Sequence, residues 1–316
     1  MFNTRSVIKM FHIIINPETA SGHGIQAWKE LKPIVEAEGM DYKLYISSQR
    51  NEFGKIISKL TSRLNGSDHA DIIIIGGDGS MNEAVNHIKD FRHTRIAFLS
   101  YGSANDLTKS LCNDRTKAEI IKDISDGKIK RSVDIGVMRS GEAETLFNIS
   151  SGLGFDAEIC EKANRVKLKR FLNRLHLGKL IYVITAIGLI LKNNRFLCRI
   201  TFDGETEKVY EKCLFAVVMN TNYEGGGFMF CPDAVNTDGS LDLCIPDGIG
   251  SFRFFTLFPM AYKGRHAGRR GINIEKAKKV RIQTDEPVWI HTDGEVSFKT
   301  DDVTISLHPE KLNLLM

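Results

Sequence analysis

The sequence holds no Cys-x-x-Cys pair. Its six cysteines, Cys112, Cys160, Cys198, Cys213, Cys231 and Cys244, are scattered without metal-ligand spacing. Most have apolar neighbours, which points to buried free thiols in a reducing compartment rather than to a disulfide framework. The opening stretch MFNTRSVIKMFHIIIN lacks the long apolar region and small-residue cleavage site of a signal peptide. The longest apolar run, Leu180–Leu191, falls short of the roughly 20 residues a membrane-spanning helix needs. Repeats, low-complexity tracts and disordered linkers are missing as well. Together these absences lead us to expect a cytosolic protein that does not cross a membrane. The P-loop pattern G-x-x-x-x-G-K-[ST] occurs nowhere, which removes that class of nucleotide site.

What is present is an ordinary globular composition, 42% hydrophobic and 26% charged, over 316 residues. That length exceeds a usual single core, so two domains are expected. The net charge of +4 favours an anionic partner only where the cations cluster.

The first part of the chain alternates strands and helices. FHIII (11–15) precedes a helical pattern closing on Gly39, and DYKLYIS (41–47) precedes FGKIISKLTSRL. DIIII (71–75) is a β-branched run suited to a strand buried on both faces of a parallel sheet. A helix over 80–90, a strand over 95–100 and a helix near 104–111 follow. This rhythm predicts a Rossmann-like, doubly wound α/β domain over residues 1–131. From about Ser132, VDIGVMRS, ETLFNISSGLG, RFLCRITFD, KCLFAVVMN, SLDLCIP, KVRIQTD, VWIHTDGE and DVTISLH read as short strands with turn residues between them, which predicts a mostly antiparallel β-sandwich over 132–316, its last residues returning to the first domain. One helical region, roughly 156–192, interrupts those strands. The junction of two such domains is a natural ligand cleft.

Three glycine patterns compete as the binding loop. With the P-loop gone, a Rossmann-like G-x-G-x-x-A remains as GHGIQA (22–27). Asn16 to Ser21 separate its first glycine from the strand, too many residues for the tight dinucleotide turn, and Asp41 starts the next strand instead of ending it. The third pattern is IIIIGGDGSMNEAVNHI (72–88). Bare glycine amides followed by a helix N-terminus suit phosphate. A local reading makes Ser80 and Glu83 an S-x-x-E capping box. That explains neither why Asp78 sits between glycines nor what partners it. A cation between Asp78 and phosphate oxygens would supply the partner.

GGDGSMNEAVN (76–86) resembles the GGDG[ST]-x-NE signature of the diacylglycerol kinase catalytic family, which includes sphingosine and ceramide kinases. In order, NPETASGHG (16–24), YGSANDL (101–107), VDIG (133–136), GFDA (154–157), PDAVNTDGSLDL (232–243) and TDGE (292–295) resemble further family stretches, covering nearly the whole chain. The resemblance implies an ATP- and Mg²⁺-dependent lipid kinase, with diacylglycerol as the foremost acceptor. It implies nucleotide contacts at Asn16, Pro17, Thr19, Ser21, Gly22, Ser47, Gly76, Gly77, Asp78, Gly79, Ser80, Asn82, Glu83 and Ser103. Asp78, Asp106 and Asp134 resemble the acids that hold the ATP-associated Mg²⁺. Read locally, Asp106 is a cap paired with Ser103 and Asp134 a turn or strand-edge acid. Asp238, with the carbonyls of Val235 and Ser240, resembles a structural Mg²⁺ site, although Asp-Gly there is also a hairpin turn. Asp293 resembles the catalytic base that takes the acceptor's hydroxyl proton. Ser80 stands where the family often has threonine, and Ala104 where it often has glycine.

A lipid acceptor implies contact with a membrane surface. Lys162, Arg165, Lys167, Lys169, Arg170, Arg174 and Lys179 precede the apolar LIYVITAIGLIL. Such a pairing suits peripheral adsorption to anionic lipid at the inner face of the membrane, and equally suits a solvated basic face beside a core helix. Lys263, Arg265, Arg269 and Arg270 form a second basic group. Nucleic acid is not expected, since no base-stacking aromatic pattern accompanies the cations. The alternatives are an NAD-kinase-like enzyme acting on a soluble alcohol, and a catalytically silent lipid- or nucleotide-binding regulator.

Overall fold

A computed structural model describes residues 10–17, 19–47, 52–62, 64, 68–112, 115–165 and 195–316. The chain divides into two compact units. The first holds Met1–Ser103, Cys112–Val133 and Lys311–Met316, and the second Ala104–Leu111 and Asp134–Glu310.

The first unit is built on a six-stranded sheet in the order β2-β1-β3-β4-β16-β5. Its strands are β1 (Met10–Ile15), β2 (Asp41–Ile46), β3 (Ala70–Gly76), β4 (Thr94–Ser100), β5 (Arg131–Val133) and β16 (Leu312–Leu314). All pairings are parallel except β16 with β5. Every residue of β3 is buried, as its isoleucine run requires, and each such side chain contributes about 1.5–3 kcal/mol of burial. Helices α1 (Thr19–Gly22), α2 (Gly24–Ala37), α3 (Glu52–Thr61), α4 (Asp78–His87) and α6 (Lys117–Asp126) belong here. Along α2, Ala27, Trp28, Leu31 and Val35 form the buried stripe. Asp71 and Arg95, register partners on β3 and β4, pair through two hydrogen bonds of 2.5 and 2.7 Å, with Asp71 buried.

The second unit is a ten-stranded antiparallel sheet arranged as a sandwich. Its order is β13-β12-β11-β8-β14-β15-β6-β7, with β9 pairing both β10 and β14. These are β6 (Gly136–Ser140), β7 (Ala143–Phe147), β8 (Ser150–Gly154), β9 (Phe196–Phe202), β10 (Thr206–Cys213), β11 (Phe215–Met219), β12 (Leu241–Pro246), β13 (Ile272–Ala277), β14 (Lys279–Thr292) and β15 (Glu295–Leu307). Helices α5 (Asp106–Cys112), α7 (Phe155–Arg165) and α8 (Ser251–Ala261) accompany them. β14 pairs with β9 up to Thr284 and with β8 from Ile290, and its register against β15 shifts between Gln283 and Val288. Met138, Phe147, Ile200, Val218, Leu243, Ile282 and Ile305 form the main core.

Three element expectations need correcting. KVRIQTD and VWIHTDGE are one strand, β14, carried through the register shift instead of broken by a turn. ETLFNISSGLG is two strands, interrupted at Asn148 and Ile149, whose amides donate to a side chain and not to a ladder. VDIG does not continue a strand: β5 stops at Val133, where the amide of Asp134 donates to the Asn236 carbonyl. Of the cysteines, Cys198, Cys213, Cys231 and Cys244 are buried free thiols and Cys160 is half-buried.

Candidate active site

In the first unit the loops beyond β1, β3 and β4 converge. The amide of Asn16 donates to the Ile75 carbonyl and that of Tyr101 to the Gly76 carbonyl. A Cβ on Gly77 would lie 3.3 Å from the Cα of Gly102, and one on Gly24 only 2.3 Å from the Asn16 carbonyl oxygen. Glycine is therefore demanded at position 24 by backbone passing close to backbone, and position 77 is tight. The amide of Thr19 donates to the Asn16 carbonyl, starting the short α1 turn that ends on Gly22, at φ +97°. Ser47 is buried at the end of β2, its hydroxyl donating to the Ile15 carbonyl.

The capping-box reading of Ser80 and Glu83 does not hold. Helix α4 begins at Asp78 with Gly77 as an extended N-cap. The Ser80 hydroxyl instead accepts from Asn16 Nδ2 at 3.1 Å, and Glu83 accepts from the amide of Gly54 at 3.0 Å. Asp78 thus occupies the first turn, where the helix dipole favours a negative charge. Gly79 follows it in that turn, and Asn82 is buried.

Within the second unit, Asp106, Asp134 and Asp293 gather around two short segments, 148–150 and 220–226. Asp293 has a left-handed backbone, φ +50°, a conformation aspartate tolerates better than most residues. Its Oδ1 accepts from the amides of Ile149 (2.8 Å) and Ser150 (3.1 Å). Its Oδ2 accepts from the amide (2.9 Å) and side chain (3.3 Å) of Asn148. Three consecutive backbone amides thereby fix the carboxylate's orientation. Asn220 Nδ2 donates to the carbonyls of Asp134 and Asn148, and the Gly239 amide donates to Asp134 Oδ2 at 2.9 Å. Asp106, the first residue of α5, is buried, accepts from the Gly226 amide at 2.6 Å, and pairs with Lys109 at 2.9 Å.

A further cluster escaped sequence reasoning. His291 is fully buried. Its Nε2 donates to Asp156 Oδ2 at 2.5 Å and lies 3.6 Å from Glu224 Oε1, which also accepts from the Ser150 hydroxyl. Burial alone lowers the imidazole pKa, but the charges of Asp156 and Glu224 outweigh it and push it up to about 9. Burial, reinforced by Asp156, pushes Glu224 up to about 8. A Cβ on Gly152 would come within 2.5 Å of both Asp156 and His291, so the bare glycine makes room for them. The three donor atoms lie within 4.8 Å of one another, close enough to hold a metal ion. However, the Gly294 amide donates to His291 Nδ1 at 3.1 Å. In the neutral imidazole this leaves the lone pair on Nδ1 and the proton on Nε2, the atom facing the carboxylates. As placed, the three side chains form a hydrogen-bonded, proton-sharing set around Nε2. The sequence signals were slight: Asp156 lies in the GFDA stretch, His291 is two residues before Asp293, and Glu224 precedes three glycines.

At the segment expected to hold a structural cation, Asp238 accepts from the Ser240 amide at 3.0 Å and pairs with Lys276 at 2.7 Å, while Val235 is exposed. As placed, this carboxylate faces the Lys276 ammonium where the resemblance implies a cation. Of the basic helix, Lys162 pairs with Glu158; Lys167, Lys169, Arg170, Arg174, Lys179 and LIYVITAIGLIL lie outside the described residues. Among the described residues no helix is long and apolar enough to cross a membrane.

Residues 10–138 match the diacylglycerol kinase catalytic domain, and residues 149–316 match the YegS C-terminal NAD kinase beta sandwich-like domain. A protein named "Putative lipid kinase YtlR" of Bacillus subtilis is 25% identical over 290 residues, covering 90% of this chain and 92% of its own. The diacylglycerol kinase of Staphylococcus carnosus is 28% identical over 292 residues, with 91% and 89% covered. A solved structure, described as a "putative diacylglycerol kinase" of Bacillus anthracis, matches with a TM-score of 0.72 at 23% identity over 98% of this chain and 96% of that one. The fold is also that of an NAD kinase of Archaeoglobus fulgidus, TM-score 0.51 at 13% identity, over 98% and 94%.

Proposed function

This chain belongs to the diacylglycerol kinase catalytic family, and from that premise we propose that it transfers the γ-phosphoryl group of ATP to a lipid hydroxyl, diacylglycerol foremost. The observation that carries the reading is the carboxylate of Asp293, aimed by the amides of residues 148–150. Phosphoryl transfer to an alcohol needs an acceptor for the hydroxyl proton, and a carboxylate held in a fixed direction supplies one without reorganising.

The glycine loops of the first unit suit a triphosphate, because bare backbone amides beside the N-terminus of α4 let an anion approach without an intervening Cβ. Asn16, Pro17, Thr19, Ser21 and Gly22 would take phosphate oxygens from one loop, and Gly76 to Ser80 from the other. Asn82, Glu83, Ser47 and Ser103 would flank the nucleotide. Asp78, Asp106 and Asp134 offer only oxygen donors, the set Mg²⁺ prefers. When bound, that ion neutralises charge on the transferring phosphoryl group. Asp293 takes the hydroxyl proton, and Asn148 together with the amides beside it keeps the carboxylate from turning away. The acceptor comes from a membrane surface that the protein visits peripherally on its cytoplasmic side.

The test is transfer from γ-labelled ATP to diacylglycerol in vesicles, with NAD in solution as the competing acceptor. Asp293→Asn is expected to retain fold and ATP affinity while losing transfer by at least a thousandfold. An Asn variant keeping most of its turnover would overturn the base assignment, and phosphorylation of NAD but not lipid would overturn the acceptor class.

A further inference from the structure

Helix α8 has two faces of opposite character. Phe254, Leu257 and Ala261 are buried in a cluster with Phe155, Phe215 and Phe230. On the other side Phe252 is 87% exposed, Phe255 38% and Tyr262, which follows the helix, 50%. An exposed phenylalanine of that degree is unusual, and three exposed aromatics on one helix and its end make an apolar patch that ordinary surface statistics do not explain. Arg253, Lys263, Arg265, Arg269 and Arg270 surround or follow it and are all exposed. No acidic residue occurs between Asp247 and Glu275. This segment therefore combines aromatic rings with cations and contributes no negative charge of its own.

We propose that this face of α8 and the basic turn after it form the docking surface for an anionic lipid bilayer. Charge complementarity favours that occupant: a bilayer bearing phosphatidylglycerol offers negative headgroups to the five cations and an apolar layer to the rings. A second copy of this chain would bring five like charges to the same contact. Continuity with the site supports the choice. Tyr262 stacks edge-on against Phe228 at 5.4 Å, and its hydroxyl donates to the Gly226 carbonyl at 3.5 Å. Gly226 in turn donates its amide to Asp106, and Glu224 in the same loop meets Ser150. The docking surface thus adjoins, within one unit, the loop that donates to Asp106 and meets Ser150 of the segment bracing Asp293. A lipid drawn from the bilayer there would have a short way to travel. The inference deepens the lipid-kinase reading by naming its partner, yet its primary measurement needs no turnover.

The experiment is flotation of the full chain with vesicles of phosphatidylcholine alone and of phosphatidylcholine with phosphatidylglycerol, at low and high salt. Binding is expected only with the anionic lipid and should weaken with salt. The double variant Phe252→Ser/Phe255→Ser is expected to lower vesicle affinity at least tenfold with an unchanged melting temperature and unchanged activity on a water-soluble short-chain acceptor. Arg269→Glu/Arg270→Glu should do the same. No binding of the wild type to anionic vesicles, or undiminished binding by the double variants, overturns the proposal. So does finding that the aromatic double variant abolishes a concentration-dependent dimer while leaving vesicle binding intact. Loss of vesicle binding in a protein that phosphorylates no lipid would support the surface and refute only the kinase reading.

Discussion

Replacing Glu224 by glutamine removes an ionisable group from a site with little room for charge and keeps nearly the same shape. In the folded protein this carboxyl is raised from 4.5 to about 8, first by burial and then by Asp156. An acid raised by folding is protonated in the native state while the unfolded chain ionises, so stability is lost as pH climbs from about 4.5 towards 8. Each unit corresponds to about 1.4 kcal/mol, which puts the loss at roughly 3 kcal/mol by pH 7 and about 5 kcal/mol as an upper bound over the whole window. His291 acts with the same sign but later: raised from 6.5 to about 9, it stabilises fully below pH 6.5 and loses that contribution as pH rises through 9. His12 and His266, lowered from 6.5 by burial, and Asp242, raised by burial, also bear on the pH range below 6.5. They are common to both proteins, so between pH 5 and 6.5 the difference between wild type and Glu224→Gln reports Glu224. Melting temperatures of wild type and Glu224→Gln should separate steadily across that interval, the variant becoming the more stable protein. At about 2–4 °C per kcal/mol for a domain of this size, the gain at pH 7 should reach several degrees. Parallel curves from pH 5 to 8 would show that Glu224 is not held protonated, and the proton-sharing account of the cluster would fall with it.

Arg95→Met should destabilise the first unit by about 3–5 kcal/mol, because it removes two charge-assisted hydrogen bonds from the buried Asp71 carboxylate; a denaturant-unfolding loss under 1 kcal/mol would count against that ion pair. Gly152→Ala introduces a Cβ 2.4 Å from Asp156 Oδ2 and 2.5 Å from His291 Nε2. The displaced imidazole should loosen the Gly294 contact and lower kcat at least tenfold with little change in the KM for ATP, and unaltered kcat would show that the cluster does not brace the Asp293 turn. Gly24→Ala meets the Asn16 carbonyl at 2.3 Å, a backbone atom that cannot step aside. ATP affinity by titration calorimetry should fall at least tenfold, and a normal dissociation constant would remove this loop from the nucleotide site.

The β-branched run of β3 and the alternating elements before it announced the first sheet, because a strand buried on both faces leaves a continuous apolar signature. The second unit was legible as antiparallel, but its strand ends were not. Residues 148–150 read as uninterrupted strand, since nothing in NISSGLG reveals that three amides leave the ladder for a carboxylate more than 140 positions away. Similarly, KVRIQTDEPVWIHTDGE looked like two strands because Asp285 and Pro287 are turn residues; a register shift absorbs them. Motif spacing made Asp78, Asp106, Asp134 and Asp293 visible. Asp156, Glu224 and His291 stayed hidden because each alone is unremarkable, and only the strand pairing of β8 with β14 brings two of them over the same glycine.

Strand β16 pairs with β4 on one side and β5 on the other, and Ser132 meets Asn313 across 181 positions. A fragment ending at Val133 would carry β5 with no neighbour and β4 with a bare edge, so cutting the molecule at its apparent seam would yield a sticky, incomplete sheet. During synthesis the leading half must wait, partly open, until almost everything after it has left the ribosome. Aggregation of an excised leading half would then be a consequence of the strand order itself.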